Sequence, residues 1–182
     1  MFSPSTTTLF RFVECTEDQH ALEILEILND AIINSTALYD YKPRSKESMA
    51  AWFATKRQNN FPIIGAVNEV GQLLGFASWG SFRAFPAYKY TVEHSVYIHK
   101  DYRGLGLSKH LMNELIKRAV ESEVHVMVGC IDATNVASIQ LHQKLGFIHS
   151  GTIQQAGFKF GRWLDAAFYQ LTLDTPLHPQ DD

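Results

Sequence analysis

The 182-residue sequence has few cysteines and little net charge. Its two cysteines, Cys15 and Cys130, lie far apart and belong to no Cys/His set with metal-ligand spacing, so neither a disulfide framework nor a metal site is indicated. We expect no bound metal and two reduced thiols, with Cys130 buried in the core because its neighbours are apolar. The formal net charge of −3 gives no sign of a surface for polyanions.

Long apolar runs and long basic runs are also absent. No apolar stretch approaches the ~20 residues that cross a bilayer, and residues 1–10 lack the basic and long apolar segments of a signal peptide. The 16 Lys and Arg residues form no basic stripe, which argues against nucleic acid as a partner. We therefore expect a cytoplasmic protein with neither a membrane nor a nucleic-acid partner.

The sequence does contain enough apolar residues for one ordinary core, since 46% of it is hydrophobic. No internal repeat, low-complexity tract or linker divides it. We expect a single domain over residues 1–182, with residues 1–8 and 175–182 loosely held.

Hydrophobic periodicity predicts a mixed α/β domain with the element order βααβββαβαββ. Apolar residues recur every three or four positions in the predicted helices, which cover residues 18–33, 44–58, 106–121 and 135–145. They alternate or form short runs in the predicted strands, which cover residues 9–15, 61–68, 73–82, 91–100, 124–132, 147–158 and 163–173. A capping box at Thr16 and Gln19 and an N-cap at Ser45 mark the starts of the first two helices.

The segment RGLGLSK carries a strand into a helix through two glycines. It fits neither the Rossmann fingerprint, whose third glycine is replaced by Lys109, nor the Walker A pattern. The small residues Gly104, Gly106 and Ser108 let the backbone approach a phosphate group, and the helix start aims free N–H groups at it. Arg103 and Lys109 would add positive charge. The alternative is a tight turn whose glycines are needed only for positive φ.

Two motifs together resemble the GCN5-related N-acetyltransferases. The strand, R-G-x-G-x-[GS] turn and helix are similar to the family's acetyl-CoA pyrophosphate loop, and NVASIQLHQKLGF is similar to its N-x-x-[SA]-x-x-L-[YH]-x-x-x-G-F segment. The segments TVEHSVYIH and AGFKFGRWLD resemble the branch that acetylates phosphinothricin or methionine sulfoximine. Asp101 departs from the family's usual Gln or Arg. The resemblance covers almost the whole chain and implies a GNAT fold, with a mixed, mostly antiparallel central sheet flanked by helices.

The resemblance also implies acetyl-CoA as co-substrate and a homodimer. The pantetheine arm would lie along the backbone of a splayed strand, and the diphosphate would lie on the glycine turn. The residues implied in binding acetyl-CoA are Val96, Tyr97, Ile98, Arg103, Gly104, Leu105, Gly106, Leu107, Ser108, Lys109, Asn135 and Lys144. For Lys144, the alternative is a solvated lysine on the surface of its helix.

Glu93 is the candidate general base for acetyl transfer to an amine. It interrupts an apolar and aromatic strand, on the same face as Ser95, and such surroundings raise a carboxyl pKa towards proton acceptance. The resembling branch has its base at the matching glutamate. The alternative is a carboxylate at the rim of a sheet. His94 points to the opposite face and is interpreted as structural, and His99 at the strand end as solvated.

His142 is the second candidate catalytic residue. Many members of the resembling family have a tyrosine here that is proposed to protonate the leaving thiolate, and an imidazole could donate that proton or only hydrogen-bond nearby. The alternative is a helix histidine satisfied by a backbone carbonyl. Because the apolar surroundings of Cys130 argue against a nucleophile, we expect direct attack of the amine in a ternary complex.

The substrate end is predicted from the aromatic loop FRAFPAYKY. Arg83 would pair with an α-carboxylate, and Phe85 and Tyr88 would wall the pocket beside Glu93. Trp163 and Asp165 on the last hairpin either complete this pocket or pack a dimer. We expect a small amino-acid-like amine of the phosphinothricin, methionine sulfoximine or methionine sulfone type. A protein or peptide amine, and an acyl-CoA sensor without catalysis, are the alternatives.

Overall fold

A seven-stranded sheet and four α-helices make up the computed structural model, which describes residues 10–181. The helices are α1 Glu17–Asn34, α2 Lys46–Gln58, α3 Leu107–Glu121 and α4 Val136–Lys144. The strands are β1 Arg11–Glu14, β2 Ile63–Val67, β3 Leu73–Ser81, β4 Thr91–Ile98, β5 Val126–Asp132, β6 Ile148–Lys159 and β7 Arg162–Thr172. The predicted order βααβββαβαββ is confirmed. The prediction for residues 1–8 lies outside the described residues.

The strands lie in the order β1-β2-β3-β4-β5-β7-β6. Every neighbouring pair is antiparallel except β4 with β5, which is parallel because α3 carries the chain back to the same end of the sheet. The pairing of β4 with β5 ends at Glu93 and Val128, although β4 continues to Ile98 and β5 to Asp132. The two strands therefore separate in the middle of the sheet, as the resemblance implied.

Each face of the sheet has its own core. On one face, α3 completely buries Leu111, Met112 and Leu115 against apolar residues of the sheet. On the other face, Ile27 of α1 and Phe53 of α2 pack on β2 and β3. Each such side chain contributes roughly 1.5–3 kcal/mol by leaving water. The sheet is thereby fixed from both sides, which holds the gap between β4 and β5 in place.

Cys130 is exposed, so the prediction that it belongs to the core is wrong. Its neighbours Gly129 and Ile131 are buried as their apolar character predicts. At Cys130, however, β5 has already separated from β4, and the thiol faces the gap between them. Partial burial, with the nearby Glu93 carboxylate, raises the pKa of Cys130 to about 11. A raised pKa disfavours the thiolate, which is the nucleophilic form.

Two smaller expectations also differ from the structure. The His99 side chain is only 12% exposed and lies 3.5 Å from a carboxylate oxygen of Glu26, so it is not solvated. At the start of α1, the Thr16 amide donates to His20 Nδ1 at 3.1 Å, and no side-chain oxygen caps the helix at Thr16. The predicted N-cap position is correct, but the predicted capping box does not form.

The segment after β7 is tied down at two points. Thr175 Oγ1 donates to the Val124 carbonyl at 2.6 Å, and the Gln180 amide donates to Tyr90 Oη at 3.0 Å. The expectation that residues 175–182 are loosely held stays a prediction. Among residues 10–181, no helix is both long and apolar enough to cross a membrane.

Candidate active site

A cavity of about 330 Å³ lies where β4 and β5 separate. Its walls come from the ends of both strands, from the start of α4 and from the loop between α1 and α2. It brings together five predicted site residues, Glu93, Val96, Tyr97, Asn135 and His142. The full lining is Thr36, Ala37, Leu38, Tyr39, Glu93, His94, Ser95, Val96, Tyr97, Gly129, Cys130, Ile131, Asp132, Asn135, Ser138 and His142.

Glu93 is partly buried and lines this cavity. Burial raises the pKa of its carboxyl group, and the positive charge of Arg83 opposes this rise without cancelling it. The raised pKa agrees with the direction predicted from the apolar strand. A carboxylate in this state is closer to neutral pH as a proton acceptor than an exposed glutamate is.

The His142 side chain is buried, and one of its ring nitrogens donates a hydrogen bond to a backbone carbonyl. Nδ1 lies 2.7 Å from the Ser138 carbonyl, and a carbonyl only accepts, so Nδ1 carries the hydrogen. Nε2 lies 3.2 Å from His94 Nε2. Burial lowers the pKa of both histidines, that of His94 to about 3, so both rings are neutral. His142 Nε2 therefore accepts the hydrogen of His94 Nε2.

The histidine pair lies directly over Gly129 of β5. A Cβ added at Gly129 would lie 2.9 Å from His142 Nε2 and 3.0 Å from His94 Nε2, closer than packed atoms allow. The two rings stack with centroids 5.0 Å apart and both contact Phe147 edge-on. Within the described chain, His94 Nδ1 is a buried polar atom without a hydrogen-bond partner. The packed pair thus forms the floor of the cavity. His94 is therefore not an isolated strand histidine but half of this pair.

The backbone of β4 presents a free edge to the gap. Beyond Glu93, residues Ser95, Val96 and Tyr97 pair with β3 on one side, but the pairing with β5 on the other side has ended. Their peptide groups on that side can therefore hydrogen-bond to an extended ligand, as an added strand would. Burial raises the pKa of the Tyr97 hydroxyl to about 12, so this side chain is neutral.

The glycine turn has the conformation that both sequence interpretations require. Gly104 and Gly106 have φ of +79° and +76°, and a Cβ at either would meet no atom within 4 Å. Backbone conformation, not space, is therefore what demands glycine here. Gly106 is the N-cap residue of α3, and no side chain caps that helix. The Lys109 amide bonds back to the Gly106 carbonyl at 3.1 Å, which leaves the amides before it directed at the turn.

The charged residues near the turn differ in whether they already have partners and in how exposed they are. Arg103 is bound to the Asp30 carboxylate of α1, and its Nε donates to the Ile98 carbonyl at 3.2 Å, so its charge is already paired. Lys109 and Lys144 are exposed. Leu107 packs in the core beneath the turn, whereas Leu105 is 57% exposed.

Asn135 has a structural role as well as a place in the cavity. Its Oδ1 accepts from the Ser138 amide at 3.1 Å and caps α4. Its side-chain NH₂ group is a donor that a ligand in the cavity could use. The same α4 backbone holds His142 through the Ser138 carbonyl, so one short helix positions both residues.

The aromatic loop before β4 is placed differently from its prediction. Phe85 is 74% exposed, and Tyr88 packs edge-on against Phe82 with centroids 5.6 Å apart. Neither ring lines the cavity, so the structure does not bring them to Glu93. Arg83 lies over the Phe82 ring at 4.2 Å, within electrostatic reach of Glu93. The wall expected from these rings is formed instead by residues 36–39.

Asp132, at the end of β5, is the main residue that sequence reasoning missed. Its carboxylate is buried and accepts hydrogen bonds from Thr36 Oγ1 at 2.6 Å, the Thr134 amide at 3.0 Å and Arg162 Nη2 at 2.8 Å. Burial alone would raise its pKa, but these donors hold the pKa below the usual value. A carboxylate that ends an apolar strand was the available signal. Among the described residues, no group of three His, Cys, Asp or Glu side chains could hold a metal ion.

The sheet separates between β4 and β5, and the glycine turn after β4 starts a helix without a side-chain cap, which are the features that the resemblance to the N-acetyltransferases implied. Residues 23–147 match the model of the Acetyltransferase (GNAT) family. The chain therefore belongs to that family and is an N-acetyltransferase, as its two motifs implied.

Three relatives are similar to this chain over most of its length. The L-methionine sulfoximine/L-methionine sulfone acetyltransferase of Pseudomonas aeruginosa is 48% identical over 151 residues, which cover 83% of this chain and 88% of the relative. A solved structure of a candidate acetyltransferase from Acinetobacter baylyi is 98% identical, with a TM-score of 0.96 and full coverage of both chains. The phosphinothricin acetyltransferase of Sinorhizobium meliloti, solved with acetyl-CoA, is 33% identical, with a TM-score of 0.88 and coverage of 93% and 92%.

Proposed function

We propose that this enzyme transfers the acetyl group of acetyl-CoA to the α-amine of a small amino acid analogue, with Glu93 as general base. The class of amine is that of methionine sulfone, methionine sulfoximine and phosphinothricin. The observation that carries the proposal is the position of Glu93, whose carboxyl pKa is raised by burial, in the cavity between β4 and β5. The named activities of the Pseudomonas and Sinorhizobium relatives support the choice of amine.

The donor would bind mainly to backbone. The amides of the turn from Gly104 to Ser108 would hold the diphosphate, because their N–H groups and the positive end of the α3 dipole converge there. The pantetheine arm would lie in the gap along the free edge of β4 at Val96 and Ile98. An amide of that edge would bind the thioester oxygen and stabilise the oxyanion of the tetrahedral intermediate.

Glu93 would accept a proton from the ammonium group of the substrate, directly or through water. The free amine then attacks the thioester carbon, a C–N bond forms and the C–S bond breaks. The attacking nitrogen loses a second proton as the amide forms, and the coenzyme leaves as a thiolate that takes up one proton through water. His142 holds its only proton on the Ser138 carbonyl, so we assign it to the cavity floor and not to protonation of the thiolate.

An amine panel tests the proposal. Thiol release from acetyl-CoA is measured with methionine sulfone, methionine sulfoximine, phosphinothricin, methionine and a lysine-containing peptide. We expect turnover with the first three and little with the peptide, because a cavity of about 330 Å³ that also receives the end of the donor leaves little room for a large acceptor. Turnover with the peptide alone would support a protein acetyltransferase. Acetyl-CoA binding with no acceptor in the panel would support a sensor.

We also propose a homodimer that buries the outer face of the last hairpin. β6 is an edge strand of the sheet, and a set of large apolar side chains on this hairpin is exposed. They are Ile153, Phe158, Phe160 and Trp163. Such a patch is typical of an interface. Light scattering on purified protein gives the mass directly, and Trp163→Lys is expected to shift a dimer towards monomer.

A further inference from the structure

Lys159, at the end of β6, is a buried lysine outside the cavity. Its side chain is 4% exposed, and its ammonium group donates to the carbonyls of Ile32 at 2.7 Å, Ser35 at 2.9 Å and Leu38 at 2.6 Å. An ammonium group has three N–H donors, so each donor has one carbonyl partner. The three carbonyls belong to the end of α1 and to the loop that follows it.

This lysine supplies a charge that α1 lacks. The helix has Glu17 and Asp18 in its first turn but no basic residue in its last turn. The last carbonyls of a helix have no partner within the helix and form the negative end of its dipole. Lys159 satisfies one of them at Ile32 and two further carbonyls in the loop. The structure of the loop therefore depends on a residue more than a hundred positions later in the chain.

The loop that Lys159 holds is a wall of the cavity. Residues 36–39 line the cavity directly. Two contacts besides those of Lys159 hold them in place. Thr36 Oγ1 donates to Asp132 at 2.6 Å. The Tyr39 ring lies so close to Gly157 of β6 that a Cβ there would be 2.8 Å from its Cε2 atom.

We propose that Lys159 is a positioning residue for the amine. It holds the wall formed by residues 36–39 in the cavity that Glu93 also lines, and so sets the shape of the acceptor half of the cavity without touching the donor half. This inference rests on the proposed function, in which the cavity receives the amine. It predicts that loss of the ammonium group weakens binding of the amine far more than binding of acetyl-CoA.

The test compares Lys159→Met with Lys117→Met, which removes an exposed lysine of α3. Met keeps an unbranched apolar side chain, one atom shorter than that of Lys, but leaves three carbonyls without a donor. For Lys159→Met we expect the KM for methionine sulfone to rise by about tenfold or more. The KM for acetyl-CoA should stay within about twofold. Equal rises in the two KM values, or an unchanged amine KM, would overturn the proposal.

Gly157→Ala provides a second variant if Lys159→Met does not fold. It leaves the ammonium group intact but pushes the Tyr39 ring, and hence the same wall, so the amine KM should again rise selectively. An unchanged amine KM in this variant would count against the proposal.

Hydrogen exchange separates a failure of this inference from a failure of the proposed function. The amides of residues 35–39 should exchange faster in Lys159→Met than in the wild type, whichever amine is acetylated. Unchanged exchange would refute the role of Lys159 in holding residues 36–39, even if the enzyme is active. If the wild type acetylates none of the panel, the proposed function fails, and the exchange result still decides whether Lys159 holds the wall.

Discussion

The two ends of the proposed site are built in different ways. The donor end is backbone: the turn from Gly104 to Ser108 and the free edge of β4, which are close together in the sequence. The acceptor end is made of side chains and a loop from separate parts of the chain, with Glu93, Asp132 and Lys159 as its fixed points. The difference implies that a binding site for a constant ligand can be local, whereas a wall that faces a variable substrate depends on the whole fold.

The largest effect is expected at the acceptor end, from Glu93→Gln. This change removes the proton acceptor and keeps the shape, so kcat should fall by about 10²–10⁴-fold while acetyl-CoA binds as before. The folded-state pKa of Glu93 is raised, so ionisation of this group at neutral pH weakens the folded state. The variant should therefore also unfold at a higher temperature.

Exposed Glu69 in the β2–β3 turn provides the matched control. Glu69→Gln should change neither kcat nor the unfolding temperature. Steady-state kinetics, calorimetric titration of acetyl-CoA and thermal melts give the three readouts. Wild-type turnover in Glu93→Gln would mean that Glu93 is not the general base.

A donor-end change should separate the two halves of the site. Gly106→Val forces a branched residue to a φ of +76°, which costs roughly 1–2 kcal/mol of folding free energy and disturbs the amides of the turn. The KM for acetyl-CoA should rise by about tenfold or more, with a much smaller change for the amine.

Gly71→Val is the control for backbone strain. Gly71 has a φ of +87° and open space around it, but it lies in the turn between β2 and β3, away from the cavity. Urea denaturation should give a similar loss of stability for both variants, and only Gly106→Val should lose acetyl-CoA affinity. Unaltered affinity in both would mean that the turn does not bind the diphosphate.

His142 lies on the floor of the cavity and should have an intermediate effect. If it supports the floor and donates no proton, His142→Gln should lower kcat by less than about tenfold, compared with about 10²–10⁴-fold for a lost general acid. The alkaline limb of the pH–rate profile should stay where it is. A large loss of kcat with disappearance of that limb would restore the acid role. His110→Gln, at an exposed position of α3, is the control.

The smallest effect is a shift in pH dependence on removal of Arg83. Its charge lowers the pKa of Glu93 against the larger effect of burial, so Arg83→Gln should raise that pKa further. Because the ionised form is the base, the acid limb of kcat/KM should move to higher pH. Arg57→Gln, which breaks an exposed ion pair with Glu17, should leave the profile unchanged. An unmoved acid limb in Arg83→Gln would mean that the two charges do not interact.

The sequence was most informative where the structure is local. Alternation along β4 predicted the strand that carries Glu93, and the turn with its two glycines predicted the start of α3 to within one residue. Cys130 was misjudged because apolar neighbours indicate a strand interior but cannot indicate where two strands separate. Asp132 and Lys159 were missed because the partners that tie them to α1 and the loop after it lie 96 and 127 residues away, and no pattern within a segment encodes those contacts.

The long reach from Lys159 back to Ile32 also has a consequence during synthesis. On the ribosome, α1 and α2 emerge well before β6, and domains are completed as their last elements appear. A nascent chain that ends after β5 already contains the glycine turn, but the carbonyls at the end of α1 still lack their ammonium partner. The proposed brace of the wall formed by residues 36–39 can therefore form only after β6 has been synthesised.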